Sequence, residues 1–166
     1  MENALAVANY FLGKSFETGE PVTPMKLVKL VYLAHGWHLG LTGQPLLAEP
    51  VQAWQYGPVV KSVYHEFKKF GGEPITDMAA FSNGFGQPHY YQVTNADEVP
   101  FLEHVWDVYR NYNALQLSAL THQPGTPWEQ VWNERGGNGQ KQLIIPNELI
   151  RRHYEEKINA NQAAAA

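Results

Sequence analysis

Hydrophobic and polar positions follow a helical period over most of this chain. Residues 4–16 carry Leu5, Ala8, Leu12 and Phe16 near helical spacing, with Asn3 placed to cap the first turn. Gly19-Glu20-Pro21 interrupts the pattern, and Thr23-Pro24 restarts it, since Thr caps well and Pro suits the first helical position. Leu27, Leu30, Val31, Ala34, Trp37, His38 and Leu41 then follow at spacings of 3, 1, 3, 3, 1 and 3, one continuous face of a long helix. Thr42-Gly43-Gln44-Pro45 ends that helix. The stretch Leu46 to Gln55 is apolar but broken by Pro50, so it reads as a loop or a short extended piece.

Tyr56-Gly57-Pro58 reads as a turn feeding a third helix from Pro58 to Phe70. Val59, Val63, Phe67 and Phe70 would form its buried stripe, Lys61, Lys68 and Lys69 would face water, and Gly71-Gly72 would end it. Residues 71–96 are rich in glycine and proline. Their strand-like run is Tyr90 to Thr94, which suggests a loop-rich excursion with a small hairpin. Helical pattern resumes at Asp97, with Phe101, Leu102, Val105, Trp106, Tyr109 and Tyr112 on the core side. Asn113 caps a short helix from Ala114 to His122, Pro127-Trp128 opens another that ends at Gly136-Gly137, and Pro146 opens a last one to about Ile158. The expected fold is mainly α, a compact single domain with a minor β element (α+β in the broad sense).

Composition narrows the function classes. Of 166 residues, 44% are hydrophobic and 17% charged, enough for a buried core. The chain has no cysteine, which removes thiol nucleophiles, disulfides and Cys-ligated metals from consideration. Its net charge of −4, from 12 basic and 16 acidic residues, weighs against general grip on a phosphate backbone. The first twenty residues carry neither a basic n-region nor a long apolar run, so neither a signal peptide nor a membrane span is expected there, and a cytoplasmic protein is.

Candidate chemistry is sparse. His35 and His38 lie three apart on the second helix, a metal-ligand spacing, but no carboxylate on a neighbouring turn completes a site. Ser118 and His122 are at i and i+4 and can meet on one helix surface. Neither a GxSxG elbow nor a glycine-rich loop accompanies them, so a hydrolase is a minor alternative to a polar network. Lys26, Lys29, Lys61, Lys68 and Lys69 form either a modest basic surface or the ordinary polar faces of two helices. Trp54, Tyr56, Trp128 and Trp132 sit at segment ends and turns, where aromatics staple loops or anchor partners.

Four blocks carry a resemblance. TPMKLVKLVYLAHGWHL (23–39), GQPL (43–46) with AWQYGPV (53–59), LSALTH (117–122) with Pro127-Trp128, and IPNELIRRHY (145–154) occur in the order found in the Panacea domain. The chain resembles that family of SocA-like and GepA-like phage-associated antitoxins over about residues 4–156. The resemblance implies one antitoxin domain over residues 1–158, followed by a tail, 159–166, expected to fray. It implies a cytoplasmic antitoxin of a toxin–antitoxin system, neutralising a protein toxin encoded nearby by direct contact, without catalysis, metal or cofactor. The alternatives are an adaptor or phage-associated interaction module that delivers a partner to a bacterial protease, and an uncharacterised hydrolase.

Candidate contact residues are Trp54, Tyr56, Ser118, Thr121, His122 and Trp128, because both of their blocks join polar groups to aromatics at turns and are placed to line one groove. Specificity among toxins is expected on exposed surface such as the 71–96 excursion and the Gly136 to Gln142 loop.

Overall fold

The computed structural model describes residues 1–134 and 143–165. The fold is mainly α with small sheets, as the periodicity predicts. Helix α1 (Ala4–Thr18) starts where the Asn3 side chain accepts the Leu5 N–H at 2.8 Å, and it ends at Gly19, whose φ of 77° suits a left-handed cap. It buries Val7, Ala8, Phe11 and Leu12. Phe16, expected in the core, is exposed.

Helix α2 (Pro24–Thr42) is the axis of the molecule. Thr23 caps it and Gly43 closes it in the left-handed conformation. Its apolar residues are not confined to one stripe: Leu27, Val28, Leu30, Val31, Tyr32, Leu33, Ala34 and Leu39 are all buried. A helix apolar nearly all round must be surrounded. It packs against α1, α3 (Lys61–Phe67), α4 (Val99–Tyr109), α5 (Ala114–His122) and, most extensively, α7 (Asn147–Ala165). Lys26 and Lys29 are therefore buried rather than part of a basic surface. Lys26 donates to the Arg110 carbonyl at 2.5 Å.

Close approach of α2 and α7 depends on Gly36 and Gly40. A Cβ at Gly36 would lie 2.7 Å from Tyr154 Cζ, and one at Gly40 would lie 2.7 Å from Tyr154 Cβ. Tyr154 is buried and sits edge-on to Trp37, with ring centroids 4.9 Å apart. Trp37 Nε1 in turn donates to the Tyr109 hydroxyl at 2.7 Å, tying α4 to the same junction.

The minor β element is a three-stranded antiparallel sheet, β1 (Val51–Trp54), β2 (Gly57–Val59) and β5 (Leu143–Ile145), in the order β2-β1-β5. Trp54 pairs with Gly57 and Val51 with Ile145, leaving Gln55 and Tyr56 as a two-residue hairpin turn. The expectation of a helix from Pro58 is corrected here. Pro58 lies in β2, an edge strand where its missing N–H costs no ladder bond, and α3 begins at Lys61. That start has no cap from the preceding residue. Glu49 serves instead, accepting from the Ser62 hydroxyl and from the Ser62 N–H at 3.3 Å.

The 71–96 excursion contains a small exposed hairpin, β3 (Ala80–Ser82) with β4 (Pro88–Tyr90), so its strand stops where Tyr90 to Thr94 was expected to form one. Buried Asn9 of α1 holds its base, donating to the Ala79 and Tyr91 carbonyls and accepting the Ala79 N–H, all within 2.9 Å. Asn113 and Gln116 form a capping box that starts α5. Tyr112, expected on the core side, is exposed. Helix α6 spans Pro127–Glu134; its expected end at Gly136-Gly137 and the Gly136 to Gln142 loop lie outside the described residues. Helix α7 continues past Ile158 to Ala165. Among the described residues, no helix is long and apolar enough to cross a membrane.

Candidate partner-binding site

The β1–β2 turn is where the sequence blocks meet. Gly57 makes this possible through its positive φ of 115°, and through the space left by its missing side chain. A Cβ there would lie 2.5 Å from Lys29 Nζ and 2.8 Å from His122 Cε1, so α2 and α5 close on the turn together. Lys29, only 2% exposed, donates from Nζ to the Tyr56 carbonyl at 2.9 Å and the Pro58 carbonyl at 3.1 Å. Burial pushes its ammonium down from the usual lysine range to about 7.

The third block braces the turn. Trp128, at the start of α6, donates from Nε1 to the Trp54 carbonyl at 2.6 Å. The His122 ring lies against Trp128 with centroids 4.2 Å apart, and Trp132 also stacks on Trp128, at 5.7 Å. Tyr56, at the tip of the turn, is 67% exposed. A two-residue turn fixed by a lysine, an indole N–H and two strands thus presents a large aromatic side chain to solvent.

Beside the turn is a groove of about 450 Å³, bounded by the start of α2, the turn and α3. Trp54 and Tyr56 contribute to its walls, with Met25, Val28, Lys29 and Tyr64. Trp54 meets Tyr64 edge to face at 4.8 Å, and its Nε1 donates to Gln52 Oε1 at 2.8 Å. Ser118, Thr121, His122 and Trp128 do not line this groove; they stand behind the turn that forms its edge.

The Ser118–His122 pair is half-buried. His122 Nδ1 lies 2.6 Å from the Ser118 carbonyl oxygen and 3.4 Å from its Oγ. An acceptor as close as that carbonyl requires Nδ1 to carry the proton and donate it, so this nitrogen is not a base for the serine hydroxyl. Thr121, buried, donates from Oγ1 to the same carbonyl at 2.9 Å. Thr121 and His122 thus both satisfy the Ser118 carbonyl in the last turns of α5, and the His122 ring packs on Trp128.

The two helix-α2 histidines have separate partners. His35 Nε2 meets Asn147 Oδ1 at 2.9 Å and its Nδ1 accepts the Leu47 N–H at 3.3 Å; burial lowers its pKa. His38 Nδ1 faces the Gln44 carbonyl at 2.7 Å and Nε2 faces Glu98 Oε1 at 3.0 Å. Glu98, distant in sequence, is the carboxylate that local spacing could not supply. Among the described residues no three or more His, Asp or Glu side chains gather to hold a metal.

Sequence reasoning missed Lys29, Gly57, Met25 and Tyr64 as parts of this region. Lys29 carried no signal of its own, because a lysine beside an apolar helical stripe reads as a solvated neighbour. Gly57 lay inside a turn signature, but its crowding by α2 and α5 is a tertiary fact.

No solved structure matches the chain. It is 31% identical over 154 residues to a protein called Antitoxin SocA from Caulobacter vibrioides (strain NA1000 / CB15N), covering 92% of this chain and 82% of that relative. The family model described as Antitoxin SocA-like, Panacea domain, matches residues 27–129, which run from α2 to the Trp128 brace. With Lys29, the turn, α5 and Trp128 all inside that span, the chain belongs to the SocA-like Panacea-domain antitoxin family.

Proposed function

We propose that this protein neutralises a protein toxin encoded beside it by direct, stoichiometric binding, without catalysis or a cofactor, and that the β1–β2 turn and its groove make the contact. The observation that carries this reading is the exposure of Tyr56 on a turn braced by Lys29 and Trp128. Aromatic side chains with few rotatable bonds, held in place before binding, lose little entropy on association and commonly dominate interface energy. Trp54 and Tyr56 would touch the toxin. Ser118, Thr121, His122 and Trp128 would hold the turn in its binding shape.

Support comes from family membership and from the SocA relative, whose name is that of an antitoxin. The test is co-expression with the product of the adjacent open reading frame in a bacterial host. A product that stops growth alone and fails to do so with this chain supports the reading, provided that Tyr56→Ala, a surface change, weakens the rescue. Full rescue by a stable Tyr56→Ala, Trp54→Ala double variant would remove the turn from the contact. Toxin levels followed by immunoblot separate stoichiometric binding, which leaves the toxin intact, from delivery to a protease, which depletes it.

A further inference from the structure

The groove beside the turn has a charge unlike that of the whole chain. The protein carries a net charge of −4, yet among the described residues Lys29 and Lys68 lie in the groove wall and no Asp or Glu does. The first turn of α2 opens onto the same space, and the positive end of a 19-residue helix adds to the local potential. The remaining walls are largely apolar or aromatic.

Lys29 is the informative residue. It is among the largest fully buried side chains, and its two bonds go to neutral carbonyls. An ammonium has three donors, and the third has no partner among the described residues. Neither Lys29 nor Lys68 lies within ion-pair distance of a carboxylate among those residues. Burial with no counter-charge disfavours the Lys29 ammonium, and a carboxylate arriving at the groove wall would pair with it and favour the charged form.

We propose that this groove receives an acidic–aromatic segment of the bound protein, its carboxylate set against Lys29 and Lys68 and its apolar side chain against Trp54, Tyr56 and Tyr64. This rests on the protein-binding reading above and names the chemistry of the partner. A phosphodiester chain fits less well: it needs a row of cations along its path, and here there are two, one of them recessed. A carboxylate adjacent to a ring needs only that pair. The low exposure of Lys29 adds selectivity, because a partner without a carboxylate covers it with no counter-charge and drives it to the neutral amine.

The test uses the full chain and a phage-displayed library of random dodecapeptides. Enriched peptides are then measured by fluorescence anisotropy against the wild type, Lys29→Met, Lys68→Glu and Tyr56→Ala. The expected result is a shared Asp or Glu within a few residues of an aromatic or large aliphatic side chain. Replacing that acid by its amide should weaken binding at least tenfold. Lys68→Glu, on an exposed side chain, should do the same without changing the melting temperature, so a folding defect in Lys29→Met does not decide the matter.

Enrichment no greater than on an unrelated protein, enriched peptides without an acid, or equal affinity for Lys68→Glu would each overturn the proposal. So would displacement of the peptides by a single-stranded oligonucleotide that itself binds tenfold tighter. The growth assay above involves no peptide and reads toxin neutralisation independently, so the two readings fail separately.

Discussion

Adding one methyl group at Gly40 should separate the two central helices. An ideal Cβ there lies 2.7 Å from Tyr154 Cβ, 3.0 Å from the Tyr154 backbone carbon and 3.1 Å from Ile158 Cδ1. Comfortable carbon contacts are about 3.5–4.0 Å, so α7 must retreat by nearly 1 Å. Two of those three atoms are close to or part of the α7 backbone, which cannot rotate away as a side-chain tip can. Overpacking of this kind costs about 1–3 kcal/mol, while replacing a glycine in the last turn of a helix by alanine returns at most about 1 kcal/mol of helix propensity.

The α2–α7 contact is the most extensive helix pair in the molecule, which puts the cost at the upper end. Gly40→Ala should therefore lose about 2 kcal/mol net, a fall of about 4–8 °C in melting temperature for a chain of this size. Gly13→Ala is the control, since its Cβ would meet only the flexible Met78 Cε at 3.4 Å. It should be neutral or more stable by up to about 1 kcal/mol. Urea titrations followed by far-UV circular dichroism measure both. A Gly40→Ala variant as stable as Gly13→Ala would refute the claim that these glycines set the helix distance.

Three further outcomes follow from buried polar groups. Lys29 has its ammonium pushed down to about 7 by burial, so above that pH the unfolded state binds more protons and stability rises with pH. The gain should be about 2 kcal/mol between pH 7 and 9, level off below pH 7, and vanish in Lys29→Met, as read by urea midpoints across that range. Glu2 is buried, which alone would raise its pKa, but hydrogen bonds from Thr94 and Asn95 outweigh burial and hold it below its usual value. Its stabilisation is complete above about pH 4.5 and is lost as pH falls through the lowered folded value. Glu2→Gln should cost about 2 kcal/mol at pH 7 and show a weaker acid transition. Trp128→Phe removes the Nε1 bond to the Trp54 carbonyl and the pyrrole half of the indole while keeping a six-membered ring, costing at least about 1 kcal/mol in thermal melts and loosening the turn; a change below measurement error would show that the brace is dispensable.

Local signals were readable wherever a local group satisfies a local need. The Asn3, Thr23 and Asn113 caps and the Gly43 stop act within a few residues of themselves, and each stands where the pattern predicts. The exceptions are tertiary. Pro58 carries the same helix-starting signature as Pro24, yet its edge-strand position is set by pairing with Ala53. Lys26 and Lys29 look like solvated helix faces because the carbonyls that accept from them, Arg110 in one case and Tyr56 and Pro58 in the other, lie far along the chain.

In α2, periodicity loses its power to choose a face, since nearly every face is covered. Gly36 and Gly40 accordingly passed as ordinary helix residues until α7 was placed against them. For the site, block resemblance brought forward Trp54, Tyr56, His122 and Trp128, and the fold gathers them at one turn. Composition alone would have left them as unexplained aromatics.

The central claim is that the turn makes the toxin contact. Calorimetric titration of the purified product of the adjacent open reading frame into wild type and Tyr56→Asp, both checked for unchanged melting temperature, tests it most directly. An aspartate at the tip removes the exposed ring and puts a negative charge beside a groove proposed to accept one. The account predicts at least a hundredfold weaker affinity, about 2.7 kcal/mol. An unchanged dissociation constant would contradict it.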